Sequence, residues 1–104
     1  MSAGVDGLFH ALGDPTRRAI VDHLTTGPLS VSSLSEPLGI TLTAVSQHLR
    51  VLEQCGVVAT EKLGRVRVAR LVPDGLVPLE AWARQRRSTL ERQLDRLSKL
   101  LEEH

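Results

Sequence analysis

Apolar positions along the chain fall into three kinds of pattern. In residues 42–56, LTAVSQHLRVLEQCG, Leu42, Val45, Leu49 and Leu52 recur at steps of three and four, which predicts one helix with an apolar stripe. Ahead of it, Val5, Leu8, Phe9 and Leu12 predict a short first helix ending at Gly13, and Ile20, Val21 and Leu24 a second that starts at Asp14-Pro15. Val31, Leu34 and Leu38 predict a third helix over Ser30–Leu38, tight or kinked near Pro37, with Gly39 as the turn and Thr41 as the next cap. After Gly56 the pattern becomes β-branched. VVATEKL and RVRVARLV alternate apolar and charged residues, with Val66 and Val68 between Arg65, Arg67 and Arg70, and Ala69 ambiguous. This predicts two strands joined at Leu63-Gly64-Arg65, lying against the helices. From about Pro78 a long amphipathic helix follows, with Leu79, Trp82, Ala83, Leu90, Leu94, Leu97 and Leu101 on one side.

The predicted fold class is mainly α with a small β-hairpin. The order is helix, helix, helix, tight turn, helix, hairpin, helix, which is a helix-turn-helix over residues 30–56, a wing over 57–72 and a last helix over 78–103 in one domain spanning 1–104. The side of residues 42–56 opposite the apolar stripe decides what such a unit is for. It carries Thr43, Ser46, Gln47 and Arg50 instead of the Glu and Lys of an ordinary exposed face. A recognition helix enters a major groove about 12 Å wide, where acidic side chains are repelled by phosphates and short hydroxyls and amides can bond bases or phosphates.

Charge sharpens this reading. The whole chain of 104 residues is nearly neutral at +1, yet residues 41–70 carry an excess of +3 and residues 1–40 one of −2. Lys62, Arg65 and Arg67 sit at or beside the hairpin tip, placed to meet backbone phosphates or a flanking minor groove. The candidate DNA contacts are therefore Thr41, Thr43, Ser46, Gln47, His48, Arg50, Lys62, Arg65 and Arg67. With Phe9, Trp82 and no tyrosine, the chain lacks the aromatics of a single-strand stacking platform. It also lacks a glycine-rich phosphate loop or a nucleophile placed with a base, so an enzyme is not expected. No signal peptide or membrane-spanning run is visible, which predicts a cytoplasmic protein.

The quoted segments resemble the ArsR-type winged-helix repressors, a family of metalloregulators. ALGDPTRRAIVDHL resembles the family's opening helix, SVSSLSEPLGITLTAVSQHLRVLEQCGVV its helix-turn-helix and EKLGRVRVARL its wing, over roughly residues 8–72, and PDGLVPLEAWARQRRSTLERQLDRL resembles one branch of it. The resemblance implies a homodimeric transcriptional repressor that reads DNA through Thr43, Ser46, Gln47 and His48, with Arg65 on the wing. Founding members bind soft metals through two cysteines in the third helix. Here the matching stretch is Leu29-Ser30-Val31-Ser32-Ser33-Leu34, and hydroxyls are poor ligands for such metals. The family's second site, on the last helix, would have Asp95 and Glu102, but the helix's only histidine is His104. No metal or cofactor is expected.

The remaining candidates have plainer readings. The lone Cys55 is expected as buried filler, with a redox switch as the alternative. His10 and His23 lie on separate helices without further ligands, and Arg84, Arg86 and Arg87 form a solvated face. Leu8, Phe9, Leu12, Trp82, Leu90, Leu94, Leu97 and Leu101 offer more apolar surface than a small monomer needs and are expected at a two-fold interface. A two-fold reader matches a pseudo-palindromic operator. The alternatives are a metal- or redox-responsive repressor and a winged-helix module that binds protein instead of DNA. Operator, regulated genes and inducer are not legible.

Overall fold

The computed structural model describes residues 4–103. Helices α1 (Gly4–Leu12) and α2 (Pro15–Leu24) are followed by a two-residue strand, β1 (Leu29–Ser30), and a 3₁₀ turn over Val31–Leu34. Then come α3 (Ser35–Leu38), α4 (Leu42–Gln54), the strands β2 (Val58–Leu63) and β3 (Val66–Leu71), and the long α5 (Val77–Glu102). The strands form one antiparallel sheet in the order β1-β3-β2, with Thr60 opposite Ala69 and Lys62 opposite Arg67.

The helix starts follow from their caps. Asp14 Oδ1 accepts from the Thr16 amide at 2.7 Å, with Pro15 at the first helical position of α2. Thr41 Oγ1 accepts from the Ala44 amide at 3.1 Å and starts α4. The turn between α3 and α4 needs Gly39, whose φ of 66° is left-handed and costs a residue without Cβ nothing. One aliphatic core joins these elements. Leu8 and Ala11 of α1, Ile20 of α2, Leu34, then Val45 and Leu52 of α4, Val57 just before the sheet, and Val58 and Ala69 within it all lose essentially all contact with solvent.

The structure departs from the sequence reading in several places. The third helix is split: Ser30 belongs to β1 and caps the 3₁₀ turn through its hydroxyl, 3.2 Å from the Ser33 amide. Pro37 lies in the first turn of α3, where an amide would have no helical partner, so it introduces no kink. The hairpin gains a third strand, because β1 pairs with β3 at Leu29–Ala69 and Ser30–Val68. On β3 the inward residue is Ala69, fully buried, whereas Val66 is 48% exposed. Helix α2 packs directly on β3. Leu63 lies in β2, leaving Gly64-Arg65 as the turn. Leu42 is also misplaced in the apolar stripe, since it is 51% exposed at the open end of α4.

Leu34 is fully buried in the core next to α4. Truncating such a leucine removes transfer energy and leaves a cavity. Leu34→Ala should lower stability by about 2–5 kcal/mol. Urea denaturation followed by helical circular dichroism measures it; a loss below roughly 1 kcal/mol would contradict the packing.

Candidate nucleic-acid interface

Three buried side chains, Val45, Leu49 and Leu52, pin α4 to the core. The helix period then turns Thr43, Ser46, Gln47 and Arg50 outward, and all four are exposed. Thr41 is exposed as well; its oxygen accepts from Ala44 in capping the helix, which leaves its O–H and one lone pair for another group. None of these side chains is covered by another part of the chain.

The wing stands beside this face. Its turn is closed by Gly64, whose φ of 66° is the only positive one at the tip, the arrangement of a type II′ hairpin. Glu53, near the end of α4, accepts from the amide and hydroxyl of Thr60 at 3.3 and 3.1 Å, which ties the helix to β2. Between them lies a cleft of about 250 Å³ lined by Ser46, Leu49, Arg50, Glu53, Thr60 and Arg67. Arg67 thus faces the helix across the cleft, on the inward side of β3.

Charge on this surface is uncompensated. Lys62 and Arg67 sit directly opposite on neighbouring strands, an arrangement of like charges that destabilises a sheet. Among the described residues the ion pairs are Arg17–Asp14, His48–Asp14, Arg70–Glu61 and Arg87–Glu91, so Arg50, Lys62, Arg65 and Arg67 have no acidic partner. Arg70–Glu61, at 4.0 Å and largely exposed, contributes little. Four unpaired cations around a hydroxyl-and-amide face form a surface suited to a polyanion.

Two expected site residues lie elsewhere. His48 is half-buried and turned toward α2, where Nδ1 lies 3.3 Å from the Arg17 guanidinium and 3.8 Å from Asp14 Oδ2. An arginine can only donate, so the shorter contact requires Nδ1 to be bare; a protonated Nδ1 faces the carboxylate instead. His48 therefore ties α4 to α2 through Nδ1, while its side chain stays partly exposed. Leu8, only 1% exposed, is spent on the chain's own core and has no surface to offer a second copy. The other apolar candidates stay accessible. Phe9 and Trp82 meet edge to face at 5.0 Å, Arg86 sits 4.8 Å over the Trp82 ring, and Leu90, Leu94, Leu97 and Leu101 are each more than half exposed. Leu12 is partly buried against the core.

Arg17 was not singled out from the sequence, yet it joins three helices. Its Nε donates to the Ala11 carbonyl at 2.6 Å and its Nη2 to that of His10 at 3.2 Å, while Nη1 lies near His48 and, at 3.4 Å, Asp14 Oδ2. Its signal was the Asp-x-x-Arg spacing across a helix start. Ser30 and Ser32, at the positions of the metal-binding cysteines, have hydroxyls 3.4 Å apart, with Ser30 engaged in capping. Among the described residues no group of three or more His, Cys, Asp or Glu converges; His104 lies outside them. Cys55 is half-buried, its Sγ 3.3 Å from the Leu52 carbonyl.

Residues 12–61 match the helix-turn-helix domain family. The chain is 46% identical to the HTH-type transcriptional regulator Rv2034 of Mycobacterium tuberculosis, over 71% of this chain and 69% of that one. It is 33% identical to the transcriptional repressor SdpR of Bacillus subtilis, over 59% of this chain and 68% of that one. An ArsR-like transcriptional regulator from Rhodococcus sp. RHA1 superposes with a TM-score of 0.80 at 28% identity, covering 94% of this chain and 92% of that one. The chain belongs to the ArsR family of winged helix-turn-helix transcriptional regulators. A further solved structure, the homodimeric winged helix-turn-helix DNA-binding domain Mb0332 of Mycobacterium bovis, superposes with a TM-score of 0.67 at 25% identity, over 82% of this chain and 79% of that one. As an ArsR-family member the chain is a DNA-binding transcriptional regulator. No helix among its described residues is long and apolar enough to cross a membrane.

The Thr16 amide, with Arg17 and His48 nearby, holds the Asp14 carboxyl below its ordinary value of 3.8. A depressed carboxyl stabilises the fold above its unfolded value and loses that effect as pH falls through the folded one. The gap in urea midpoint between wild type and Asp14→Ala should thus be full at pH 6 and narrow below pH 3.8. A gap that widens on acidification would contradict this cause.

Proposed function

We propose that this chain is a cytoplasmic homodimeric repressor that reads a pseudo-palindromic operator through Thr43, Ser46 and Gln47. Arg50, Lys62, Arg65 and Arg67 hold the phosphate backbone, and no metal is required. The observation that carries this reading is the bare hydroxyl-and-amide side of α4 beside four cations without acidic partners. Gln47 supplies both a donor and an acceptor, the pair needed to read adenine at its N6 and N7. Arg65, at the tip of the wing, is placed for phosphate or a minor groove and so contributes affinity without sequence. Repression follows from occupancy: a bound dimer excludes polymerase from the operator, which in an autoregulatory arrangement is the repressor's own.

Dimerisation is supported by the surface of α1 and α5. Phe9, Trp82 and the leucines from Leu90 to Leu101 form an apolar strip that the chain itself does not cover. The homodimeric Mb0332 domain shares this architecture. Pairing two readers doubles the base contacts that a single short helix can make.

Selection from a random duplex pool should yield a pseudo-palindrome with half-sites about one helical turn apart. Gln47→Ala should relax preference at one symmetric pair of positions. Arg65→Ala should weaken all sequences alike and reduce the slope of log affinity against log salt by about two, one for each subunit's wing. Affinity that stays flat between low and moderate salt would instead favour a protein-binding module. Leu94→Glu with Leu97→Glu should convert a dimer into a monomer in sedimentation at micromolar concentration. A wild-type monomer under those conditions would overturn the dimer.

A further inference from the structure

Leu42 is the first residue of α4 and the one aliphatic side chain among its outward-facing neighbours. Thr41, Thr43, Ser46 and Gln47 around it are all exposed and polar, and Leu42 itself is 51% exposed. An isolated surface leucine is ordinary; the position of this one is not. It lies one turn from Ser46, and with Ser32, Ser46, Arg65, Val66 and Arg67 it lines a cleft of about 310 Å³ between the start of α4 and the wing. Val66 on the wing, also nearly half exposed, adds a second apolar wall to that cleft. The N-terminal residues of a recognition helix are the ones that reach base edges. An apolar group therefore stands where the proposed DNA-reading surface goes deepest.

We propose that Leu42 is a specificity-determining residue that recognises the 5-methyl group of a pyrimidine, thymine in ordinary duplex DNA. This rests on the DNA-reading function proposed above. The thymine methyl is the one apolar projection on the major-groove edge of the four bases, and contact with an aliphatic side chain distinguishes thymine from cytosine without a hydrogen bond. Leu42 has no donor or acceptor, so it leaves the polar edges to Thr43, Ser46 and Gln47. Removing its exposed methyls from water against a base methyl favours that base. The same methyl occurs on 5-methylcytosine, which presents it at a guanine pair.

The test uses the full chain and a duplex recovered by selection with the wild type. Each thymine in turn is replaced by deoxyuridine, which removes only the methyl, and each cytosine by 5-methylcytosine, which adds one. For wild type, one symmetric pair of thymines should lose roughly three- to tenfold in affinity on demethylation. Leu42→Ala should bind with no response at that pair, Leu42→Met should keep the response, and Gln47→Ala should keep it too. A Leu42-dependent response found only at cytosine identifies 5-methylcytosine as the source of the methyl and supports the same contact. Tight binding by the wild type with no methyl response that depends on Leu42 overturns this inference alone. Failure of the wild type to bind any duplex overturns the DNA reading beneath it.

Discussion

Val45, Leu49 and Leu52 anchor the reading helix to the core, and the rest of the site depends on that anchorage. Because a helix repeats every 3.6 residues, fixing one stripe inward determines which side chains point away from the fold. Thr43, Ser46, Gln47 and Arg50 are exposed for this reason, without needing contacts of their own. The same stripe shares one core with Leu34, Val57 and the sheet residues Val58 and Ala69, so the wing is placed relative to the helix by that core. Glu53 adds a polar tie between helix and wing through Thr60. A rigid reader on a small aliphatic core is the outcome.

Electrostatics act on this frame in the opposite sense to stability. Lys62 opposite Arg67, with Arg65 at the turn between them, is a poor choice for a free hairpin. The cost is tolerated because the strands are held elsewhere: β3 is central in the sheet, α2 packs on it and Ala69 is fully buried. Such a cluster gains its return only when an anion arrives. By contrast the acidic residue nearest the reading helix, Glu53, is occupied with Thr60 and sits toward the helix's C-terminal end, away from Thr43 and Gln47. The polar face therefore stays free of the charge that phosphates would repel.

Much of this arrangement could be read from the sequence, and the misses share a cause. The reading helix, the two long strands and α5 each carry enough residues to show a period. The strand β1 has two residues and no period to show. Ala69, ambiguous in the sequence, is buried and Val66 is half exposed, because alternation indicates two faces without saying which one will be covered. Leu8 has the same ambiguity on α1, where Phe9 beside it is left outside. Leu42 was assigned inward by spacing, but the core ends before the first turn of α4 does. In each case what lay beyond the local stretch, a covering neighbour or the edge of the core, decided the outcome.

Arg17 shows why long-range contacts matter most for function. One guanidinium, largely shielded from solvent, gathers the last carbonyls of α1, the carboxylate that caps α2 and the ring of His48 on α4. The carbonyls at a helix C-terminus carry partial negative charge, so a cation is stabilised there, and Asp14 completes its coordination. The consequence is geometric. Helix α1 bears Phe9, part of the surface proposed for pairing, while α4 bears Thr43, Ser46 and Gln47, the proposed base readers. In the proposed dimer the distance between the two reading heads would depend on the angle between α1 and α4, and Arg17 spans that angle. A reader tuned to a half-site spacing needs such a brace, since a hinge at this point would let each head search independently and lose the advantage of two-fold binding.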